Sequence, residues 1–112
     1  MKASNAEIPY GTLDLLVLQT LNVMGPMHGF GLARRIEQVS DNLLQLNQGS
    51  IYPALLRLRQ QGWIRASWGK SDNNRRARFY SITEAGQRKL AREVKAFEQT
   101  TALVNRFLEV GS

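Results

Sequence analysis

Apolar residues recur at helical spacing along the first third of the chain. Leu13, Leu16, Val17, Leu21 and Met24 share a face, and Gly25-Pro26 then stops the run. A second run follows His28-Gly29, with Leu32, Ile36 and Val39 on one face and Arg34, Arg35 and Glu37 turned elsewhere. Ser40-Asp41-Asn42 ends it, and Leu43 to Leu46 has room for a short extended piece. A third run directs Ile51, Leu55 and Leu58 inward and closes at Gly62. Pro53 constrains its start, because proline has no N–H to give residue 49. Pro53 therefore belongs in the first turn, with Ser50 as the expected cap; a start at Asn47 would demand an irregular first turn.

At Trp63 the period changes from helical to alternating. Ile64, Ala66 and Trp68 fall on one side and Trp63, Arg65 and Ser67 on the other, up to Lys70. Ser71-Asp72-Asn73-Asn74 is rich in turn formers, and Arg76 to Ile82 returns as a second strand. Trp63 and Trp68 read as packing residues of this hairpin. Thr83 caps a last helix, with Glu84 near its positive end. That helix extends from Glu84 to about Val110, roughly 40 Å at 1.5 Å per residue. Leu90, Val94, Phe97, Thr101, Val104 and Leu108 are spaced along it at intervals of 4, 3, 4, 3 and 4, a heptad-like seam.

The order is helix, helix, helix, hairpin, helix, with no repeat and no internal linker. It predicts a mainly α protein with a small β-hairpin: a winged helix-turn-helix over residues 1–82 and a long C-terminal dimerisation helix over 83–112, forming one structural unit. The expected core is Leu16, Leu21, Ile36, Leu55, Leu58 and Ile64. The last helix would overhang that core and leave its stripe, Leu90 through Leu108, facing water in a monomer, so the seam is the expected dimer interface.

Composition narrows the function. At 112 residues and 43% hydrophobic, the chain suits one folded domain. The absence of cysteine removes disulfides, thiolate nucleophiles and zinc–cysteine sites, and fits a reducing cytoplasm. The longest apolar run, Leu15 to Leu18, is far short of the roughly 20 residues that span a bilayer. Met1 to Pro9 is polar, without a signal core, so a cytoplasmic location is expected and no membrane partner. No Ser/His/Asp set, carboxylate pair, metal cluster or phosphate loop is recognisable, and Gly29-x-Gly31 lacks a preceding strand. His28, the one histidine, follows a Gly-Pro turn and reads as structural. No catalytic residue, metal or cofactor is expected.

The net charge of +6 is concentrated. Arg57, Arg59, Arg65, Lys70, Arg75, Arg76 and Arg78 face a single acid, Asp72, within residues 57–78, and the rest of the chain is neutral, with eight basic and eight acidic residues. Such separation suits a localised anionic partner, and in a winged helix that partner is double-stranded DNA: the third helix enters the major groove and the wing touches backbone or minor groove. Tyr52, pointing off the buried face, is a candidate for contact, with Gln48, Ser50 and Arg57 on the same exposed side. Lys70, Arg75, Arg76 and Arg78 can reach phosphates from the wing. Arg59 and Arg65 read equally well as solvated. The start of the third helix also offers free N–H groups to a phosphate.

Three strings in order then carry a resemblance: Gly25-Pro26-Met27-His28-Gly29-Phe30-Gly31, Gln48-Gly49-Ser50-Ile51-Tyr52-Pro53-Ala54-Leu55, and Asn74-Arg75-Arg76-Ala77-Arg78-Phe79-Tyr80 with Thr83-Glu84-Ala85-Gly86. The chain resembles the PadR family of bacterial transcriptional regulators over nearly its whole length, and its single helix after the wing is similar to the family's compact subgroup. The resemblance implies a repressor that dimerises through its last helices and the partner's first helix. Some compact members bind flat aromatic compounds between subunits. Their ligand platform is commonly a tryptophan near this place, where this chain departs from the pattern with Phe97, which reads first as a dimer-core residue and second as a candidate contact for an aromatic effector. The competing reading is a winged-helix protein-interaction module without specific DNA binding; the arginine-loaded wing argues against it, and a salt titration separates the two.

Overall fold

The Gly25-Pro26 break turns the chain from a first helix, α1 (Thr12–Met24), into a strand of only two residues, β1 (Met27–His28). The structure, a computed structural model, describes Ile8 and residues 11–111, apart from the side chain of Gln48. The rest of the polar segment Met1 to Pro9 lies outside the described residues. After β1 come α2 (Gly29–Val39), α3 (Gln48–Gln60), β2 (Ile64–Lys70), β3 (Arg76–Ile82) and α4 (Glu84–Val110).

The expected hairpin is present, but it belongs to a three-stranded antiparallel sheet ordered β1-β3-β2. Met27 pairs with Tyr80 and His28 with Phe79, so β3 is the middle strand. A two-residue strand has no period to read, which is why sequence patterning misses it. His28 also caps α2: its Nδ1 accepts the Gly31 N–H at 3.0 Å, and its ring meets Phe79 edge-on at 5.7 Å.

α2 ends at Ser40, followed by Asp41 and Asn42 at φ of 55° and 63°, a region these short polar residues tolerate. Leu43 to Leu46 is not the extended piece expected. The segment is tied back to α2 by side chains instead: the Ser40 hydroxyl accepts Leu44 N–H at 3.1 Å and the Glu37 carboxylate accepts Leu46 N–H at 2.7 Å. Leu44 is buried there. Val39, expected on the buried face, is 70% exposed, because the last turn of α2 runs past the core and lines an open groove with Val23 and Met24 of α1.

α3 adopts the irregular start. Asn47 is the cap, and Ser50 sits three residues into a capping box: Asn47 Oδ1 accepts Ser50 N–H at 3.1 Å, and Ser50 Oγ accepts Asn47 N–H at 3.2 Å. The Asn47 carbonyl takes both Ser50 N–H and Ile51 N–H, at 3.1 and 3.0 Å, so the first turn is tightened and Pro53 lies inside the helix. The strength of this box corrects Ser50 as the cap. At the other end Gly62, at φ 78°, donates to the Arg59 carbonyl while Trp63 N–H reaches Leu58, closing the helix in a Schellman motif.

β2 and β3 pair from Ile64↔Ile82 to Lys70↔Arg76. Asn74, at φ 59°, donates to the Ser71 carbonyl at 2.8 Å and completes a tight three-residue loop over Asp72, Asn73 and Asn74. Thr83 caps α4 as expected, its Oγ1 accepting Gly86 N–H at 3.0 Å. Gly86 is buried where a Cβ would run into the Trp63 carbonyl and meet Ile82 Cγ1 at 2.7 Å, so only glycine lets α4 start this close to the root of β2.

Leu21, Ile36, Leu55, Leu58 and Ile64 are buried as expected; Leu16 is half-buried, and Leu18 takes its place in the centre. Leu90 joins this same core at 5% exposure through the packing of α4 on α1, and Val94 is packed against it. The apolar stripe left exposed on α4 therefore begins at Phe97, not at Leu90. Among the described residues no helix is long and apolar enough to cross a membrane.

Candidate nucleic-acid interface

α2, the turn after it and α3 form the helix-turn-helix, and β3 brings the wing alongside. Tyr52, 41% exposed, leaves α3 toward the start of α2, where its ring is seated over Gly29; a Cβ on Gly29 would stand 2.9 Å from the Tyr52 hydroxyl. Together with His28, Phe30, Ala77, Arg78 and Tyr80 they line a concavity of about 300 Å³ between α3, the start of α2 and the wing strand. The close approach at Gly29 is the physical reason for glycine in that motif, and it orients the phenol ring toward the wing side.

The other candidates on α3 fare differently. Ser50 is half-buried and its hydroxyl is committed to the capping box, donating to the Asn47 carbonyl at 3.0 Å. The Gln48 side chain lies outside the described residues. Arg57 is expected beside Tyr52, but five residues at 100° each place it some 140° around the helix. Its guanidinium instead meets Asp14 Oδ1 of α1 at 2.8 Å, in a concavity shared with Trp63, Lys89 and Glu93. This corrects its assignment to the Tyr52 side.

The wing collects the remaining cations. Lys70 and Arg76 face each other across the last strand pair, and Arg75 stands at the tip with its carbonyl held by Ser71 N–H at 2.8 Å. Arg75 and Arg76 are exposed, as is Lys70 at the end of β2. Arg78 is half-buried, and its Nε is shielded from solvent without a hydrogen-bond partner. Arg76 lies 4.6 Å and Arg78 5.6 Å from the centre of the Trp68 ring.

Trp68 is thus 59% exposed and stacked by arginines, where packing within the hairpin is expected. It shares the Ile64 side of β2, but the strand has left the core by that point. Its direct cross-strand neighbour is Arg78, a pairing that becomes visible once the hairpin register is known. Trp63 does pack against the core, with Lys89 Nζ 4.6 Å from its ring centre.

On α4, Phe97, Val104 and Leu108 are 62%, 48% and 65% exposed, and Thr101 is exposed with them. Leu103, Phe107 and Val110 widen the apolar surface beyond the predicted seam. Val94, half-buried, marks its inner edge. Among the described residues no group of three or more His, Asp or Glu side chains converges in a way that could hold a metal ion.

The family model described as "Transcriptional regulator PadR-like family" matches residues 17–92, from the middle of α1 to the third turn of α4. The fold is similar to that of a transcriptional regulator from Clostridium thermocellum, with a TM-score of 0.76 and 26% identity over 87% of this chain and 93% of that one. A PadR family transcriptional regulator from Eggerthella lenta matches with a TM-score of 0.73 and 26% identity, covering 88% and 83%. Bacillus subtilis PadR, solved in complex with operator DNA, shares the fold at a TM-score of 0.65 and 20% identity, over 77% of this chain and 48% of that protein. The family is one of regulators, not of enzymes. With a winged helix-turn-helix followed by one long helix, and with a family model matching most of its length, the chain belongs to the PadR-like family of transcriptional regulators.

Proposed function

We propose that this chain is a homodimeric, sequence-specific repressor that binds double-stranded DNA through α3 and the wing. The observation that carries the proposal is where the charge sits. The entire positive excess belongs to residues 57–78; the wing carries Lys70, Arg75, Arg76 and Arg78, and Arg78 lines one concavity with Tyr52. Long cations on a hairpin can contact phosphates while an adjacent helix enters the major groove. Tyr52, seated against Gly29, is the side chain best supported as a reader of base edges. As a regulator of transcription it would work beside the DNA, in the cytoplasm.

Dimerisation is supported by the outer half of α4, whose apolar side chains have no cover within one protomer. Two such helices packed across a two-fold axis would bury them and hold two copies of α3 about 34 Å apart, as a pseudo-palindromic site requires. A flat aromatic effector seated between subunits at Phe97 would release the DNA by disturbing that spacing. Support for it is the exposed phenyl ring at the inner end of the free seam.

The test is a salt titration of binding to the DNA upstream of the protein's own gene and to random duplex. Replacing Arg75, Arg76 and Arg78 together with Ala should weaken both alike. It should also reduce the slope of log K against log salt by about 0.9 for each phosphate that the wing no longer neutralises. Unchanged affinity and slope would overturn the wing assignment and favour a protein-interaction role.

A further inference from the structure

An indole that is 59% exposed on a strand clear of the core has no packing reason to be there. Trp68 is crossed instead by two cations from the opposite strand. Arg78 is its direct partner in the register, and Arg76 lies diagonally, next to the tip. Both guanidiniums approach one ring, at 4.6 and 5.6 Å from its centre. Among the described residues neither arginine is in an ion pair, so no carboxylate explains their convergence.

Two like charges drawn to one place repel each other, and free arginines in water would splay apart and sample many rotamers. The negative face of an indole offsets that repulsion and narrows the choice of rotamers. Arg76 and Arg78 are two residues apart on one strand face, roughly 6.8 Å along the strand, so the ring can serve both.

We propose that Trp68 is a positioning residue of the wing: it holds Arg76 and Arg78 as one preordered pair of cations presented to adjacent phosphates of a DNA strand. The inference rests on the reading of the chain as a DNA-binding regulator. Trp68 itself makes no essential contact with DNA. Its contribution is the ordering of two side chains before the duplex arrives, which removes part of the entropic cost of binding.

The experiment measures binding of the full chain to a random duplex of about 20 base pairs by fluorescence anisotropy, over a range of salt concentrations. The variants are Trp68→Ala, Trp68→Phe, Arg76→Ala, Arg78→Ala and the double variant Trp68→Ala/Arg76→Ala. Trp68→Ala should weaken binding about fivefold, as expected when one to two exposed cation–π interactions are removed, and Trp68→Phe should restore most of it. The salt slope should stay at the parent value in Trp68→Ala, because both cations remain, whereas Arg76→Ala should lower it. The double variant should bind less weakly than the two single effects multiplied together.

Full affinity in Trp68→Ala, with Arg76→Ala weakened, would overturn the positioning role and leave DNA binding by the wing intact. Strictly multiplicative effects would overturn it in favour of direct contact between the indole and DNA. No effect from either arginine variant would remove the wing from DNA binding, and the proposal with it. If Trp68→Ala lowers the thermal midpoint, Trp68→Leu, which keeps apolar bulk but has no aromatic face, paired with Arg76→Ala gives the same coupling on a folded protein.

Discussion

From Trp68 to Arg76 the wing sets cations and one indole into water; from Phe97 to Val110, α4 sets phenyl and aliphatic side chains there. Both regions stand clear of the core and neither is needed to close it. They differ in what water does to them. Solvated guanidiniums cost little to keep exposed, so a wing without DNA is a comfortable state. A contiguous apolar stripe on a 27-residue helix is not, at roughly 25 cal/mol for each Å² left wet. The difference implies an order of events: the surface on α4 should be covered permanently, by a second copy, and the wing only when DNA is present.

The strongest way to break that contrast is to make α4 as comfortable in water as the wing. Phe97→Glu should raise the dimer dissociation constant by about 1000-fold, since an unpaired charge in an interface costs on the order of 4 kcal/mol. Sedimentation should then give a monomer with most of its helical signal retained, and binding to the upstream DNA should disappear with it. An unmodified protein that sediments as a folded monomer at micromolar concentration, yet binds that DNA tightly, would refute the order of events.

A smaller effect is expected where the two regions join. Gly86→Ala drives a methyl group into the Trp63 carbonyl and should destabilise the fold by about 2–3 kcal/mol, as overpacking does, read as a lower thermal midpoint. Wild-type stability in this variant would mean that α4 is not anchored through that contact. The smallest change is expected at Arg57, which lies with Asp14 on neither surface. Arg57→Ala should cost under about 1 kcal/mol in stability and leave both DNA affinity and its salt slope unaltered. A slope reduced as far as in a wing arginine variant would return Arg57 to the DNA-facing side.

The legible parts of this molecule are those signalled by local chemistry. Gly25-Pro26, Gly62 and Thr83 mark the ends of elements because stop and cap residues act within one turn, and the bounds of α4 follow from Thr83 and a sustained period. What escapes depends on distant partners or on where the core ends. β1 exists only because β3 passes beside it. Val39 and Leu90 sit on the expected helix faces, but α2 overruns the core and α4 lies down on α1, so their exposures are reversed from expectation. Ser50 and Asn47 compete for one cap, and a reciprocal box outweighs the preference of Pro53 for a first turn. Arg57 is a matter of helical angle. Trp68 needs the hairpin register before its arginines can be seen.

The junction at Gly86 has a mechanical consequence. Thr83 donates from its N–H to the Trp63 carbonyl at 3.0 Å and from its Oγ1 to the Gly62 carbonyl at 2.7 Å, so α4 leaves the body from a fulcrum clamped to the end of α3. Packing of Leu90 and Val94 on the core holds the first turns, so the free arm runs from Phe97 to Val110, 14 residues or about 21 Å. A tilt of only about 5° at its root sweeps its far end through roughly 2 Å, more than the rise of one residue. In a pair of subunits joined through these arms, the gear runs both ways: a small wedge far out along α4 becomes a rotation of the entire reading head.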